Sequence, residues 1–194
     1  MKKQILLLTT FVMTLSCNGQ TKSNDFQSEV EKWKTELQIN GEVGPPCSED
    51  YQKWSEENPN YYWGMQEVKS KTFDINTDGV NDGLFYFPAE NCVGGNGQGS
   101  DFAILIYSYN GNFLTNKNIT KTIEDKIQIE FTDKGIYDIS NTNIHYENFN
   151  KTIKGTFWTW RNEDAHCCPS LSGTFEYNPF DFKVILKYKD EQKK

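Results

Sequence analysis

Apolar residues recur at helical spacing near the start of the chain and at strand spacing later. An apolar stripe with steps of three or four predicts an amphipathic helix packed on the domain by that face. Its members are Phe26, Val30, Trp33 and Leu37. Gly41 is placed to end this helix, Ser48 to cap a shorter second one, and Pro59 to stop it.

From Tyr61 onward the apolar period falls to two, which is typical of strands. Eight short segments show it: 84–87, 103–109, 127–131, 136–139, 144–149, 153–160, 172–177 and 182–188. Asn110-Gly111 predicts a two-residue hairpin turn, and Gly135 marks another turn. Because the strands follow the helices with none interleaved, we predict one α+β domain, mostly β and antiparallel, over residues 25–194.

The first seventeen residues carry an export signal. Lys2 and Lys3 precede an apolar run over 5–12, and small residues lead to Cys17. This order predicts a signal peptide over 1–16. A cysteine at that point resembles a bacterial lipobox and implies a lipid anchor on Cys17, although Leu15 stands one position from the usual leucine. An ordinary signal peptide is the alternative. Residues 17–24 then form a polar tether, and we expect the protein at the outer membrane, on its periplasmic or surface face.

The net charge of the chain limits the classes of partner that we expect. The chain has a formal charge of −7, and losing residues 1–16 leaves 18 basic and 27 acidic side chains, a charge of −9. An acidic surface repels polyanions, so we expect no nucleic-acid partner. The expected partners are the membrane, through the lipid, and an envelope protein, a glycan or a wall component. No sequence pattern calls for an organic cofactor.

Residues 74–82 place oxygen-bearing groups at the spacing of a calcium loop. The candidate ligands are Asp74, Asn76, Asp78, the Val80 carbonyl and Asp82. Gly79, the sixth position, suits a left-handed turn. The twelfth position is Phe85 rather than glutamate, and strands flank the loop, so it is not an EF-hand. It resembles the Asp-rich loops of FG-GAP and VCBS repeats, of which this chain shows one copy. The resemblance implies a calcium loop that joins two strands. A solvated turn is the alternative.

Four cysteines remain besides Cys17. An even number in an exported chain predicts disulfides, and Cys47, Cys92, Cys167 and Cys168 allow three pairings. We disfavour a Cys167–Cys168 ring and expect these two to be bonded to Cys47 and Cys92. Zinc at His166-Cys167-Cys168 and a catalytic cysteine near His166 or His145 are weaker alternatives.

Two fragments resemble uncharacterised bacterial lipoproteins of the LppP/LprE type. They are Cys-Val-Gly-Gly-Asn at 92–96 with its neighbours, which is similar to a Cys-Gly-Gly-Asn loop of that group, and Cys-Cys-Pro-Ser at 167–170. The resemblance spans roughly residues 72 to 175 and implies export and disulfides. It implies no reaction. The glycine-rich run 94–99 lacks the Gly-Lys-Ser/Thr ending of a phosphate loop and is interpreted as a loop that could border a site.

No paired nucleophile and base stands out in the sequence, so a non-enzymatic binding or structural module is the first hypothesis. Its candidate surface is aromatic: Tyr61, Tyr62, Trp63, Trp158 and Trp160. The second hypothesis is a hydrolase that uses carboxylates, with Glu90, Asp101, Glu163 and Asp164 as candidates. An inhibitor or immunity-type protein is the third. Close, buried carboxylates in a deep cleft would favour the enzyme, and an aromatic surface would favour binding.

Overall fold

The computed structural model describes residues 23–59, 63–93, 99–165 and 167–190. Three helices within these ranges are α1 (Ser23–Ile39), α2 (Glu49–Glu57) and α3 (Ile119–Asp133). The strands are β1 (Trp63–Met65), β2 (Lys69–Phe73), β3 (Asp82–Phe87), β4 (Ala89–Asn91), β5 (Phe102–Tyr109), β6 (Asn112–Asn116), β7 (Ile139–Phe149), β8 (Ile153–Arg161), β9 (Leu171–Asn178) and β10 (Lys183–Asp190). None of the helices in this part of the chain is both long enough and apolar enough to cross a bilayer.

The strands form three antiparallel sheets. The first sheet has the order β2-β3-β5-β6, the second sheet has the order β10-β9-β8-β7, and β1 pairs with β4 alone. This arrangement confirms the predicted α+β class, with strand content above helix content. The described residues hold ten strands, where the sequence predicted about eight.

Both faces of the first sheet are covered, because alternate side chains of its central strands enter different cores. Leu84 and Tyr86 of β3 face α3 and the second sheet, while Phe85 and Phe87 face α1. The predicted stripe of α1 fills that second core, where Trp33 lies 5.5 Å from the Phe87 ring. Burial on both faces explains why 103–109 is almost continuously apolar.

The prediction of a strand at 127–131 was wrong, because these residues belong to α3. The buried side chains of this helix, at every fourth position, are Ile119, Ile123, Ile127 and Phe131. Ile129, which completed the apparent alternation, is 54% exposed. A helix therefore lies between β6 and β7, and it packs between the sheets. Residues 136–138 also lie outside any strand, and β7 begins only at Ile139.

The predicted turns and helix ends agree with the structure. Asn110 and Gly111 have φ angles of 51° and 76°, as a two-residue hairpin requires, and they join β5 to β6. Gly41 follows α1 with φ 68°. Ser48 precedes α2, although its hydroxyl donates to the Pro46 carbonyl instead of capping the helix. The signal peptide, Cys17 and the tether up to residue 22 lie outside the described residues, and α1 already includes Ser23 and Asn24.

Candidate functional site

A cleft of about 1020 Å³ is lined by residues of α1, β1, the start of β5, the start of α3 and the strands β7 and β8. Its lining comes from distant parts of the chain, including Leu37 of α1, Trp63 of β1, Asp101 before β5, Glu124 of α3 and Trp158 of β8. The cleft is at the upper end of the size range of small-molecule sites. It is therefore the principal candidate site in the described structure.

Three half-buried tryptophans line this cleft. Trp158 and Trp160 lie on the outer face of the second sheet, opposite Asn143 and Asn141 of β7 in the strand register. Trp63 reaches the cleft from β1, and its ring lies 3.4 Å from the position that a Cβ atom on residue 99 would occupy. All three belong to the aromatic surface predicted from the sequence. Its other members, Tyr61 and Tyr62, lie outside the described residues.

A buried carboxylate couples the two sheets beside these tryptophans. The Asp101 side chain is 4% exposed and lies 2.9 Å from His145 Nδ1, while its second oxygen accepts the backbone N–H of Tyr146 at 2.9 Å. The His145 ring packs edge-on against Trp158 at 4.9 Å between centroids. Asp101 therefore holds a histidine that supports a tryptophan of the cleft.

Glu124 of α3 is another acid of the cleft, and its pKa is raised. Burial raises the pKa of Glu124, and the Ser100 hydroxyl, which donates to its carboxylate, acts in the opposite direction. Ser100 also accepts the backbone N–H of Ile144 at 3.1 Å. Glu124 was not among the acids predicted from the sequence, because no helix was predicted for the segment that forms α3. His145 was considered there only as a distant partner of a cysteine.

Asp164 orders the loop between β8 and β9 at the edge of the cleft. Its Oδ2 accepts the N–H groups of Arg161 and Ser170, both at 2.8 Å. Burial tends to raise the pKa of Asp164, but these hydrogen bonds outweigh it and the pKa is lowered. Of the four carboxylates predicted for a hydrolase, the structure brings Asp101 and Asp164 to the cleft. Glu90 and Glu163 are exposed and do not line it.

The disulfide pairing predicted from the sequence was wrong. Cys47 bonds to Cys92, with 5.2 Å between their Cα atoms, and Cys167 bonds to its neighbour Cys168. The first bridge packs on Gly64 of β1, where any side chain would meet both sulfur atoms. The second lies in the β8–β9 loop, with Cys167 in the cleft lining. His166, the suggested zinc partner, lies outside the described residues.

The loop over residues 74–82 is held by side chains that accept its own backbone donors. Asp74 accepts the N–H groups of Asp78 and Gly79 at 3.0 and 2.8 Å, and Asp78 accepts that of Val80 at 2.9 Å. Gly79 has φ 84°, which confirms the predicted left-handed turn, and Thr77 shares the left-handed region at 61°. The loop lies away from the cleft lining.

Asp82 anchors the end of this loop. It is fully buried, and its two oxygens accept the N–H groups of Ile75 at 2.9 Å and Ser108 at 2.7 Å. Burial raises its pKa, whereas hydrogen bonding by the Ser108 side chain, followed by the Val80 N–H, lowers that of Asp78.

The donor set of the loop suits a hard cation, since it contains oxygens and neither nitrogen nor sulfur ligands. Among the described residues no group of three or more His, Cys, Asp or Glu side chains is arranged to hold a metal ion. A calcium site here would therefore also need the Asn76 amide oxygen and the Val80 carbonyl.

No protein-family model, curated protein or solved structure matches this chain.

Proposed function

We propose that this chain is an exported, lipid-anchored binding module of the bacterial envelope, and that its tryptophan cleft binds a carbohydrate. The observation that carries the proposal is the convergence of Trp63, Trp158 and Trp160 on one cleft beside Asn141 and Asn143. A half-buried indole offers a flat apolar face to the C–H face of a sugar ring. Asparagine amides both donate to and accept from hydroxyl groups.

Binding explains the cleft better than hydrolysis does. Glu124 favours a hydrolase, because a buried carboxyl of raised pKa can act as a general acid. A carboxylate-dependent hydrolase needs a second acid that is free to act as base or nucleophile. Asp101, which adjoins the Ser100 partner of Glu124, has both oxygens occupied by donors on β7. Because Glu124 could act as an acid but Asp101 is not free to act as its partner, a hydrolase that acts on the same ligand is the second candidate.

Carbohydrate binding by the cleft can be tested by electrophoresis of the protein through gels that contain soluble polysaccharides of different linkage. We expect retardation by at least one polymer, and about a tenfold loss of affinity in Trp158→Ala and in Trp160→Ala. Trp54→Ala is the matched control, since Trp54 packs on Tyr51 and does not line the cleft. Equal affinity in all three variants would refute the cleft assignment, and release of reducing ends would favour the hydrolase.

The lipid anchor is proposed from the sequence pattern at Cys17. Acylation supplies membrane affinity that the domain does not need to provide. We expect Cys17→Ser to move the protein from the membrane fraction to the soluble fraction. A membrane-bound variant of unchanged mass would contradict the anchor without affecting the cleft.

Calcium binding by the 74–82 loop is a separate part of the proposal. A cation would offset the repulsion among Asp74, Asp78 and Asp82, and it would tie β2 to β3 at the end where the loop joins them. Burial disfavours the charged form of Asp82, and a bound cation would favour that form. The loop is thus proposed as a stabilising site, and the cleft as the ligand site.

A further inference from the structure

We propose that the cleft selects an uncharged glycan and rejects acidic ones, an inference that rests on the proposed carbohydrate-binding function. The charged side chains that line the cleft support this selection. Among the described residues, the cleft lining holds three cationic side chains and four acidic ones. The cations are Lys117, Lys121 and Arg161.

Each of these cations already has a carboxylate partner outside the cleft lining. Lys117 of the β6–α3 connection pairs with Glu36 of α1. Lys121 pairs with Asp125 one turn further along α3 at 2.8 Å. Arg161 lies 3.8 Å from Asp138. A sulfate, phosphate or carboxylate on a ligand would have to compete with these acids for every cation.

Three acids of the cleft accept hydrogen bonds from neutral donors, while the charges of Lys121 and Arg161 act on Glu124 and Asp164 as well as on acids outside the lining. Ser100 donates to Glu124, and backbone N–H groups donate to Asp164. Glu42 accepts from the Asn40 amide at 3.1 Å. Four acids therefore stand against three cations that are each shared with an acid outside the lining, so the local potential is negative where the carboxylates are ionised, and the chain as a whole carries −7. An acidic glycan would therefore meet repulsion rather than a compensating charge.

The remaining lining suits hydroxyl groups and apolar ring faces. Trp63, Trp158 and Trp160 supply the ring faces, while Asn141 and Asn143 supply amides that carry no charge. A site of about 1020 Å³ is at the upper end of the range for small-molecule sites, so it has room for more than one sugar ring. The ligand class that meets these conditions is a neutral oligosaccharide or polysaccharide.

The test compares each neutral polymer that retards the protein with its own carboxymethyl derivative, for example hydroxyethyl cellulose with carboxymethyl cellulose, or dextran with carboxymethyl dextran. We expect the neutral polymer to bind at least tenfold tighter at low ionic strength. The difference should narrow as salt is added, because salt screens the repulsion. Equal or tighter binding of the acidic derivative would overturn the charge selection and leave carbohydrate binding intact.

Two variants test the cause directly. Glu36→Gln and Asp125→Asn release Lys117 and Lys121 without altering any side chain of the cleft lining. Each should strengthen binding of the carboxymethyl polymer by roughly two- to fivefold and leave the neutral polymer unchanged. Glu31→Gln, which releases Lys34 on α1, is the control and should change neither. Absence of binding to every neutral polymer would overturn the proposed function itself, and this inference with it.

Discussion

Replacing Asp101 by alanine should destabilise the domain by about 3–5 kcal/mol, because it removes a buried carboxylate and leaves the groups that donate to it without a partner. The carboxylate is 4% exposed and serves His145 and the Tyr146 N–H, each at 2.9 Å. A hydrogen bond to a charged group contributes about 1.5–3 kcal/mol, so two such bonds give a loss of the same size. This is a large share of the 5–15 kcal/mol that stabilises a typical domain.

Urea denaturation of the folded, disulfide-bonded protein, followed by far-UV circular dichroism at neutral pH, measures this loss. The midpoint should fall while the slope stays constant, as expected when stability changes but the exposed surface does not. Asp101→Asn keeps one acceptor oxygen and should lose about half as much. Asp125→Ala is the control, since its exposed pair with Lys121 contributes less than about 1 kcal/mol. A loss below about 1 kcal/mol in Asp101→Ala would refute the coupling described for Asp101.

Three further predictions concern other parts of the molecule. Calcium should raise the free energy of unfolding by about 2.7 kcal/mol at a hundred times its Kd, and the melting temperature should rise with it. Asp78→Ala should abolish this response, which scanning calorimetry with and without chelator measures. Because burial raises the folded pKa of Glu124 above its ordinary value of 4.5, the stability that this residue contributes is lost as pH rises through the folded pKa. Glu124→Gln should therefore gain stability relative to the native protein as pH rises above 4.5, and parallel pH profiles of the two proteins would contradict this. Replacing Cys47 and Cys92, which are 45 residues apart, by alanine should cost on the order of 4 kcal/mol in urea, and peptide mapping without reduction should recover this bridge.

The elements that could be predicted from the sequence are those specified by local chemistry. Asn110-Gly111 and Gly79 require left-handed backbone, and both adopt it. The stripe of α1 is also local, because one face of a helix repeats every three to four residues. The α3 segment has the local pattern of a strand, since Ile127, Ile129 and Phe131 satisfy a period of two, while the side chains that it buries recur at every fourth position.

Features that depend on distant pairing could not be predicted in the same way. Cys47 meets Cys92 because β1 and β4 pair and Gly64 leaves room for the sulfur atoms. Asp101 meets His145, 44 residues later, because the start of β5 lies against β7. The tryptophans could be nominated by residue type, but their convergence on one cleft depends on how the sheets stack.

The position of α1 ahead of the strands that it packs on has a consequence for the synthesis of the domain. Its apolar face packs on Phe87, Ile104 and Ile106, so Trp33 leaves the ribosome some 70 residues ahead of Ile104. At about 5–20 residues per second, that interval is roughly 4 to 14 seconds. Val43, Met65 and Phe87 of the same core are synthesised within this interval, but β5, the strand that carries Ile104 and Ile106, is not. The stripe of α1 therefore stays incompletely covered, and open to chaperones and proteases, until β5 has been made.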